Sequence, residues 1–213
     1  MAGGRMKNKL KKRKSGIALV GDIAWGTHFC QFYTTKRDLL DVLVPYFRAG
    51  LESNEFCVLV TSDFLTRDEA LLTMRAEIPG FADYLARGRI EVFPYTDWYL
   101  KGGSFDLKRT LAMWKEKHDR ALAGGFEGLR VSGAPYWLDN KKDWDDFTAY
   151  EAAINDVIGG MKLLVLCTYS LLKCGVPEIL DVMKNHEFAL ALSRGEWRVV
   201  SPPACQGAHA GAR

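Results

Sequence analysis

Short apolar runs of strand length alternate along this chain with longer segments in which apolar residues recur at helical spacing. This alternation predicts right-handed crossovers between parallel strands and helices on both faces of one sheet. We therefore expect an α/β fold of three layers, with a mainly parallel sheet. The predicted strands are 29–33, 56–61, 89–93, 128–132 and 162–167, the predicted helices are 36–51, 66–80, 106–123 and 143–158, and an antiparallel hairpin is predicted at 188–192 and 197–200.

Composition favours a single domain with distinct ends. A chain of 213 residues with 48% hydrophobic content can bury one substantial core. Residues 5–14 carry seven basic side chains and no acidic one, although the net charge of the whole chain is only +3. We predict a basic disordered leader at 1–14, one domain at 15–200 and a disordered tail at 201–213. Such a leader would give at most weak, nonspecific binding to nucleic acid.

The connection after the first predicted strand lacks the features of a phosphate-binding loop. Such a loop needs several glycines, whose backbone N–H groups converge on the anion, followed by Lys and Ser or Thr. Here the strand ends at Tyr33, and Thr34 and Thr35 lead directly into a helix. The layout is that of a nucleotide-binding ATPase whose phosphate loop is missing. Because no catalytic motif is found elsewhere either, we expect a protein that is not an enzyme and that needs no cofactor.

Tyr and Trp dominate the positions where the predicted strands end. In a parallel sheet, ligands bind outside the carboxyl ends of the strands, so these side chains are candidates for a ligand site. A cleft lined by aromatic rings suits a small apolar molecule or a methylated ammonium ion better than a phosphorylated one. The aromatic candidates are Tyr33, Tyr95, Trp98, Trp137 and Tyr169.

Two charged residues occur where apolar ones are expected. Arg130 lies within a predicted strand, and Glu151 lies on the apolar face of a predicted helix. Buried charges are normally paired, so we expect an Arg130–Glu151 contact. The alternative is that one of them orients a ligand.

The five cysteines do not indicate a disulfide framework, because their number is odd and the chain has a good core. Cys167 and Cys174 bracket the segment after the fifth strand, but their spacing is not that of a zinc motif. We expect no metal, and keep as the weaker alternative a thiol or metal sensor that uses Cys30, Cys167 and Cys174 with His28 or His186 nearby.

Six blocks of the sequence, in order, resemble the MEDS domain, the methanogen/methylotroph DcmR-type sensory domain. The resemblance covers about residues 15–200 and is specific because all six blocks follow in the right order. The blocks are 21–33 (GDIAWGTHFCQFY), 43–51 (LVPYFRAGL), 98–103 (WYLKGG), 128–133 (GLRVSG), 167–175 (CTYSLLKCG) and 185–189 (NHEFA).

The resemblance implies a sensory module of prokaryotic signal transduction that detects a one-carbon or hydrocarbon derivative, on a degenerate RecA/KaiC-like fold. It implies a cytoplasmic protein that signals through a partner, such as a histidine kinase or a transcription regulator, or through its own oligomer. A residual nucleotide binder is the main alternative. The ligand-binding residues that the motifs imply are His28, Tyr33, Trp98, Arg130, Trp137, Tyr169, Cys174 and His186.

Overall fold

The computed structural model describes residues 11–201, which form nine strands and seven helices. In chain order these are β1 (Lys12–Lys14), β2 (Asp22–Ala24), β3 (His28–Tyr33), α1 (Lys36–Glu52), β4 (Phe56–Thr61), α2 (Arg67–Glu77), α3 (Phe81–Ala86), β5 (Ile90–Pro94), α4 (Tyr95–Trp98), α5 (Leu107–Ala123), β6 (Leu129–Gly133), α6 (Lys141–Ile158), β7 (Leu163–Ser170), α7 (Val176–Asn185), β8 (Ala189–Ser193) and β9 (Glu196–Val200).

Seven strands form one sheet in the order β5-β4-β6-β7-β3-β8-β9. All neighbours in this sheet pair in parallel, except that β8 and β9 form an antiparallel hairpin. In the central pair, Cys30 of β3 lies beside Cys167 of β7. The predicted α/β architecture, its parallel sheet and its terminal hairpin are confirmed.

Helices cover both faces of the sheet and divide the core in two. One core lies between the sheet and α1 to α3, and the other lies under α5 to α7. Successive residues of a strand point to opposite faces, so Phe29 belongs to the first core and Cys30 to the second. This alternation decides which strand residues can meet each other around a site.

Capping boxes set the beginnings of the first two helices, as their sequences predict. Thr35 accepts a hydrogen bond from the Asp38 backbone N–H, and Thr66 does the same for Glu69. Each N-cap backbone N–H in turn donates to the carboxylate three residues on. Such reciprocal bonds satisfy backbone donors that a helix start leaves open, so local sequence fixes these two boundaries.

The prediction of a disordered leader at 1–14 is wrong for residues 12–14. They form β1, which pairs with β2 in a separate two-stranded sheet. Arg13 is buried, and its Nε donates to Glu55 Oε1 at 2.8 Å. A run of basic residues is expected to stay solvated, but here a buried carboxylate compensates one of its charges. Arg13 is therefore not available to nucleic acid.

Glu55 also accepts a hydrogen bond from Arg130. We call Arg13, Glu55 and Arg130 the arginine cluster. Arg130 Nε donates to Glu55 Oε2 at 2.6 Å. Its other nitrogens donate to the carbonyl oxygens of Ser15, Tyr46 and Lys14 at 3.1, 2.7 and 2.8 Å. The cluster thus ties the N-terminal segment to α1 and β6.

The prediction of a contact between Arg130 and Glu151 is wrong. Leu129 and Val131 belong to the core under α5 to α7, so the intervening Arg130 points to the other face of the sheet, toward Tyr46 of α1. Glu151 lies on α6, which covers the opposite face. The sheet separates the two charges, and each finds a different partner.

The two short helices α3 and α4 and the β1–β2 hairpin were not predicted from the sequence. The first ten residues of the predicted leader and all but the first residue of the predicted tail lie outside the described residues. Within residues 11–201, no helix is both long and apolar enough to span a membrane.

Candidate functional site

Four buried side chains that can bind a proton or a metal converge between the sheet and helices α6 and α7. His28 is the first residue of β3, Cys167 lies in β7, Glu151 lies on α6, and His186 directly follows α7. All four are at most 4% exposed, and one ligand atom from each lies within 4.8 Å of the others. We call this set the histidine cluster.

Glu151 is at the centre of the cluster. Its Oε2 lies 3.1 Å from His28 Nε2 and 3.4 Å from His186 Nε2. The Cys167 sulfur lies 3.2 Å from His28 Nε2 and 3.6 Å from Glu151 Oε1. The donors therefore surround a common point in the protein interior.

Hydrogen bonds outside the cluster orient both imidazole rings. The Asn155 amide nitrogen donates to the carbonyl oxygens of Asn185 and Glu151, at 2.7 and 3.3 Å, so its Oδ1 faces His28 Nδ1 at 2.9 Å. Because that oxygen can only accept, Nδ1 of His28 carries a proton. His186 Nδ1 likewise faces the Val182 carbonyl at 2.7 Å. Each ring therefore directs its Nε2 into the cluster.

Burial and mutual charge determine the protonation of these groups. Burial lowers the pKa of His186 to about 3, and His28 acts in the same direction, so His186 is neutral near pH 7. Burial alone would raise the pKa of Glu151, but the hydrogen bond from His28 and electrostatic interactions with His28 and His186 lower it overall. Burial, and then Glu151, raise the pKa of the Cys167 thiol. Without a bound cation, the cluster thus combines a carboxylate, a thiol and a neutral imidazole.

Two acceptors of the cluster face each other. His186 Nε2 is buried and has no hydrogen-bond partner among the described residues. It lies 3.4 Å from the Glu151 carboxylate oxygen, which also carries only lone pairs when ionised. A buried acceptor without a donor costs free energy, and a shared proton or a cation would remove that cost.

Tyr169 connects the histidine cluster to a small cleft at the carboxyl ends of β6 and β7. Its ring centroid lies 5.8 Å from that of His186, and burial followed by the Glu151 charge raises the pKa of its hydroxyl. The hydroxyl makes no hydrogen bond of normal geometry with a described residue. The cleft has a free volume of about 10 Å³ and is lined by Pro135, Tyr136, Leu138, Trp144, Thr168, Tyr169, Ser170, Lys173 and Cys174. That volume suits a molecule of about the size of water.

An aromatic cluster fills the space beside the cleft. The Trp98 ring packs on Trp114 at a centroid distance of 4.2 Å, and Trp137 packs against Phe105 at 5.5 Å and Phe147 at 5.9 Å. Trp98 Nε1 and Trp137 Nε1 are buried and find no hydrogen-bond partner in the described part of the chain, whereas Trp114 Nε1 donates to the Tyr150 hydroxyl at 2.7 Å. These rings form a closed core, so we do not assign an open ligand cavity to them.

Six of the nine sequence-derived ligand residues fall into three groups. His28 and His186 belong to the histidine cluster, and Tyr169 and Cys174 line the cleft. Trp98 and Trp137 lie in the aromatic cluster. The remaining three lie apart: Tyr33 packs on Phe64 at 5.2 Å on the other face of the sheet, Tyr95 donates to Asp63 at 3.0 Å, and Arg130 belongs to the arginine cluster.

Two members of the histidine cluster, Glu151 and Cys167, are absent from that set of ligand residues. The sequence did signal both, as a charge on an apolar helix face and as a cysteine at the end of a buried strand. Cys174 is half-buried outside the cluster, and burial followed by the Glu178 charge raises its pKa to about 11. Cys30 and Cys174 therefore do not join Cys167 as donors, although His28 and His186 do.

The position of a phosphate loop is occupied by a carboxylate of the chain itself. Only Thr34 and Thr35 separate β3 from α1, and the backbone N–H groups of both donate to Asp38 Oδ2 at 3.0 and 2.9 Å. In a phosphate cradle, such N–H groups would point at the anion. Asp38 accepts both hydrogen bonds and places a negative charge at the start of α1.

The arrangement as a whole is that of a RecA-like α/β domain with a buried polar site under one face of its sheet. The fold is similar to that of a KaiC-like protein from the hyperthermophilic archaeon Pyrococcus horikoshii OT3, with a TM-score of 0.58 and 15% sequence identity over 89% of this chain and 86% of that one. This likeness concerns the fold alone. No significant match was found among curated proteins.

The family is shown by the sequence itself. Residues 27–187 match the family model described as the MEthanogen/methylotroph, DcmR Sensory domain, MEDS. The chain belongs to the MEDS family, and the matched range begins one residue before His28 and ends one residue after His186. The histidine cluster and the cleft therefore lie within the sensory domain.

Proposed function

We propose that this domain senses a small molecule, a one-carbon or hydrocarbon derivative, in the cleft at the carboxyl ends of β6 and β7. The observation that carries the proposal is the position of Tyr169, which lines the cleft and also adjoins Glu151 and His186. Its hydroxyl has no partner among the described residues, so a polar group of a ligand could supply one. The cleft's small volume favours a ligand of very few heavy atoms.

Sensing requires that the ligand bind one of two states of the domain better than the other. A ligand that hydrogen-bonds to the Tyr169 hydroxyl would act on a group whose pKa the adjoining Glu151 carboxylate raises. The position of Glu151 in turn affects α6 and, through His186, the end of α7. We propose that these two helices transmit the change to a partner, such as a histidine kinase or a transcription regulator, and that the domain acts by binding rather than by catalysis.

A nucleotide is a weaker candidate for the ligand. The likeness to a KaiC-like protein concerns the fold, and the donors of the β3–α1 connection are bonded to Asp38. A triphosphate at that position would meet the Asp38 carboxylate at close range. Repulsion between like charges therefore favours an uncharged or cationic small molecule over ATP.

The proposal can be tested by thermal unfolding in the presence of methanol, methylamines, halomethanes, short alcohols, ATP and ADP. A ligand present at about 100 times its dissociation constant adds about 2.7 kcal/mol to the stability of the protein. We expect a one-carbon compound to raise the melting temperature, and the Cys174→Leu variant to lose this response because the larger side chain fills the cleft.

Val176→Leu is the matched control. It enlarges a neighbouring side chain that is 71% exposed and does not line the cleft, so the response should persist. Stabilisation by nucleotide alone, undiminished in Asp38→Asn, would support the residual nucleotide binder instead. An equal response of both leucine variants would place the ligand away from the cleft.

A further inference from the structure

We propose that His28, Glu151, Cys167 and His186 bind one divalent transition-metal ion in a buried tetrahedral site, with zinc(II) as the best match to their chemistry. The inference rests on the geometry of the histidine cluster and does not depend on which small molecule the cleft binds.

The donor set is typical of a zinc site. Two imidazole nitrogens, one thiolate and one carboxylate are all established ligands of zinc(II), and four protein ligands complete its preferred tetrahedron. The set also balances charge, since a thiolate and a carboxylate together neutralise a divalent ion. This neutrality matters because all four side chains are buried, and an uncompensated charge there would be strongly unfavourable.

The spacing of the donors fits such an ion without a large rearrangement. Metal–ligand bonds of about 2.0–2.3 Å place the ligands of a tetrahedron about 3.3–3.8 Å apart. From Glu151 Oε2, the separations are 3.1 Å to His28 Nε2, 3.4 Å to His186 Nε2 and 3.7 Å to the Cys167 sulfur, and all four donor atoms lie within 4.8 Å of one another. The cluster is therefore close to the dimensions of a filled site.

The orientation of the histidines supplies an independent observation. In metal sites, a ligating histidine usually donates its other ring N–H to a carbonyl or carboxylate, which fixes the ring. Here the Asn155 side-chain oxygen accepts from His28 Nδ1 at 2.9 Å, and the Val182 carbonyl accepts from His186 Nδ1 at 2.7 Å. His186 Nε2 consequently directs a lone pair, with no partner among the described residues, at the Glu151 carboxylate. A cation between the two would turn this repulsive contact into an attractive one.

A site with four protein ligands leaves no open position for a substrate, which is the pattern of structural rather than catalytic zinc. Binding releases the thiol proton of Cys167, and any proton on His28 Nε2, to solvent as the metal–ligand bonds form. The ion would join β3, β7, α6 and α7, since each contributes or adjoins one ligand. Its removal should therefore loosen α6 and α7 from the sheet.

Two measurements on untagged full-length protein test the proposal. Elemental analysis after purification without chelator should find about one zinc ion per chain. After replacement by cobalt(II), the absorption spectrum should show intense tetrahedral d–d bands and a thiolate-to-cobalt charge-transfer band. Cys167→Ser should lose the charge-transfer band, whereas Cys174→Ser should keep it, because its sulfur lies outside the cluster.

The proposal is overturned if folded wild-type protein, incubated with excess zinc or cobalt, retains neither metal after desalting. It is equally overturned if Cys174→Ser abolishes the charge-transfer band in folded protein. Should Cys167→Ser fail to fold, His186→Gln tests the same site, since loss of one nitrogen ligand must shift the d–d bands. If the protein retains no metal but still responds to a one-carbon compound, the metal site is excluded and the sensory function stands.

Discussion

The two glutamates Glu55 and Glu151 are both buried, but they lie on opposite faces of the sheet in different surroundings. Glu55 accepts from two arginines, and the nitrogens of Arg130 that do not reach it donate to three backbone carbonyls. Glu151 lies against two histidines and a thiol, and Nε2 of His186 has no hydrogen-bond partner within residues 11–201. A buried charge in a saturated network stabilises the fold, whereas an unsaturated set of donors can bind something else.

The largest expected loss of stability tests whether the arginine cluster holds the fold together. Arg130→Met should lower the free energy of unfolding by about 3–5 kcal/mol, because it leaves the Glu55 carboxylate buried with one of its two partners missing. Chemical denaturation of the variant measures this loss. Arg48→Met is the control, since Arg48 forms an exposed ion pair with Glu52 and should cost less than about 1 kcal/mol. Similar losses in both variants would contradict the role assigned to Arg130.

Close packing around Arg130 provides the second test. A Cβ atom at Gly50 would lie 2.6 Å from both Cδ and Nε of Arg130, so Gly50→Ala should cost about 1–3 kcal/mol. Gly160→Ala, where a Cβ would meet nothing within 4 Å, should change stability by about 0.5 kcal/mol or less. Urea denaturation of the two variants measures this difference in the free energy of unfolding. If Gly50→Ala were tolerated as well as the control, the arginine cluster would be more adaptable than its geometry indicates.

Glu151→Gln sharpens the comparison between the two clusters. In chelator, it should lower the free energy of unfolding by about 1–2 kcal/mol, because a neutral amide replaces the carboxylate, whereas Arg130→Met leaves the Glu55 charge buried with a partner missing. Denaturation beside Arg130→Met measures the difference. A loss as large as that of Arg130→Met would mean that both clusters serve mainly to hold the fold together.

The smallest expected effect concerns the hydroxyl of Tyr169. Tyr169→Phe should change stability by about 0.5 kcal/mol or less, because this hydroxyl makes no normal hydrogen bond, but it should weaken the response to the one-carbon ligand. Tyr46→Phe removes a buried hydroxyl that donates to the Val131 carbonyl at 3.2 Å and should cost about 1 kcal/mol. Thermal unfolding with and without ligand checks both. A large loss of stability in Tyr169→Phe would show that its hydroxyl is engaged.

Most of the sheet could be predicted from the sequence, because each of its strands is marked by a local apolar run and each long helix by local spacing and caps. Strand β4 and the capping boxes at Thr35 and Thr66 lie where the pattern placed them. Strand β1 could not be predicted in this way. Its basic residues are typical of a solvated segment. Burial of Arg13 is made favourable by partners distant in the chain, such as Glu55, forty-two positions away, and the Ser53 carbonyl.

The candidate site was predicted in part. His28, His186 and Tyr169 were identified from their motifs, but Tyr33 and Arg130 face the other side of the sheet, away from them. Glu151 was identified as a charge on an apolar helix face, and Arg130 was predicted to be its partner. A sequence indicates that a buried charge needs a partner, but it does not indicate on which face of the sheet that partner lies. The pairing depends on strand order and on the alternation of side chains across the sheet.

The sequence by itself determined the class of fold, the family and the absence of a phosphate loop, since all three depend on local patterns and on motifs read in order. Only the tertiary structure decided which charges pair and which donors meet. Contacts between residues far apart in the chain depend on how the elements pack, and His28 and Cys167, 139 positions apart, come within 3.2 Å only because β3 and β7 are neighbours in the sheet.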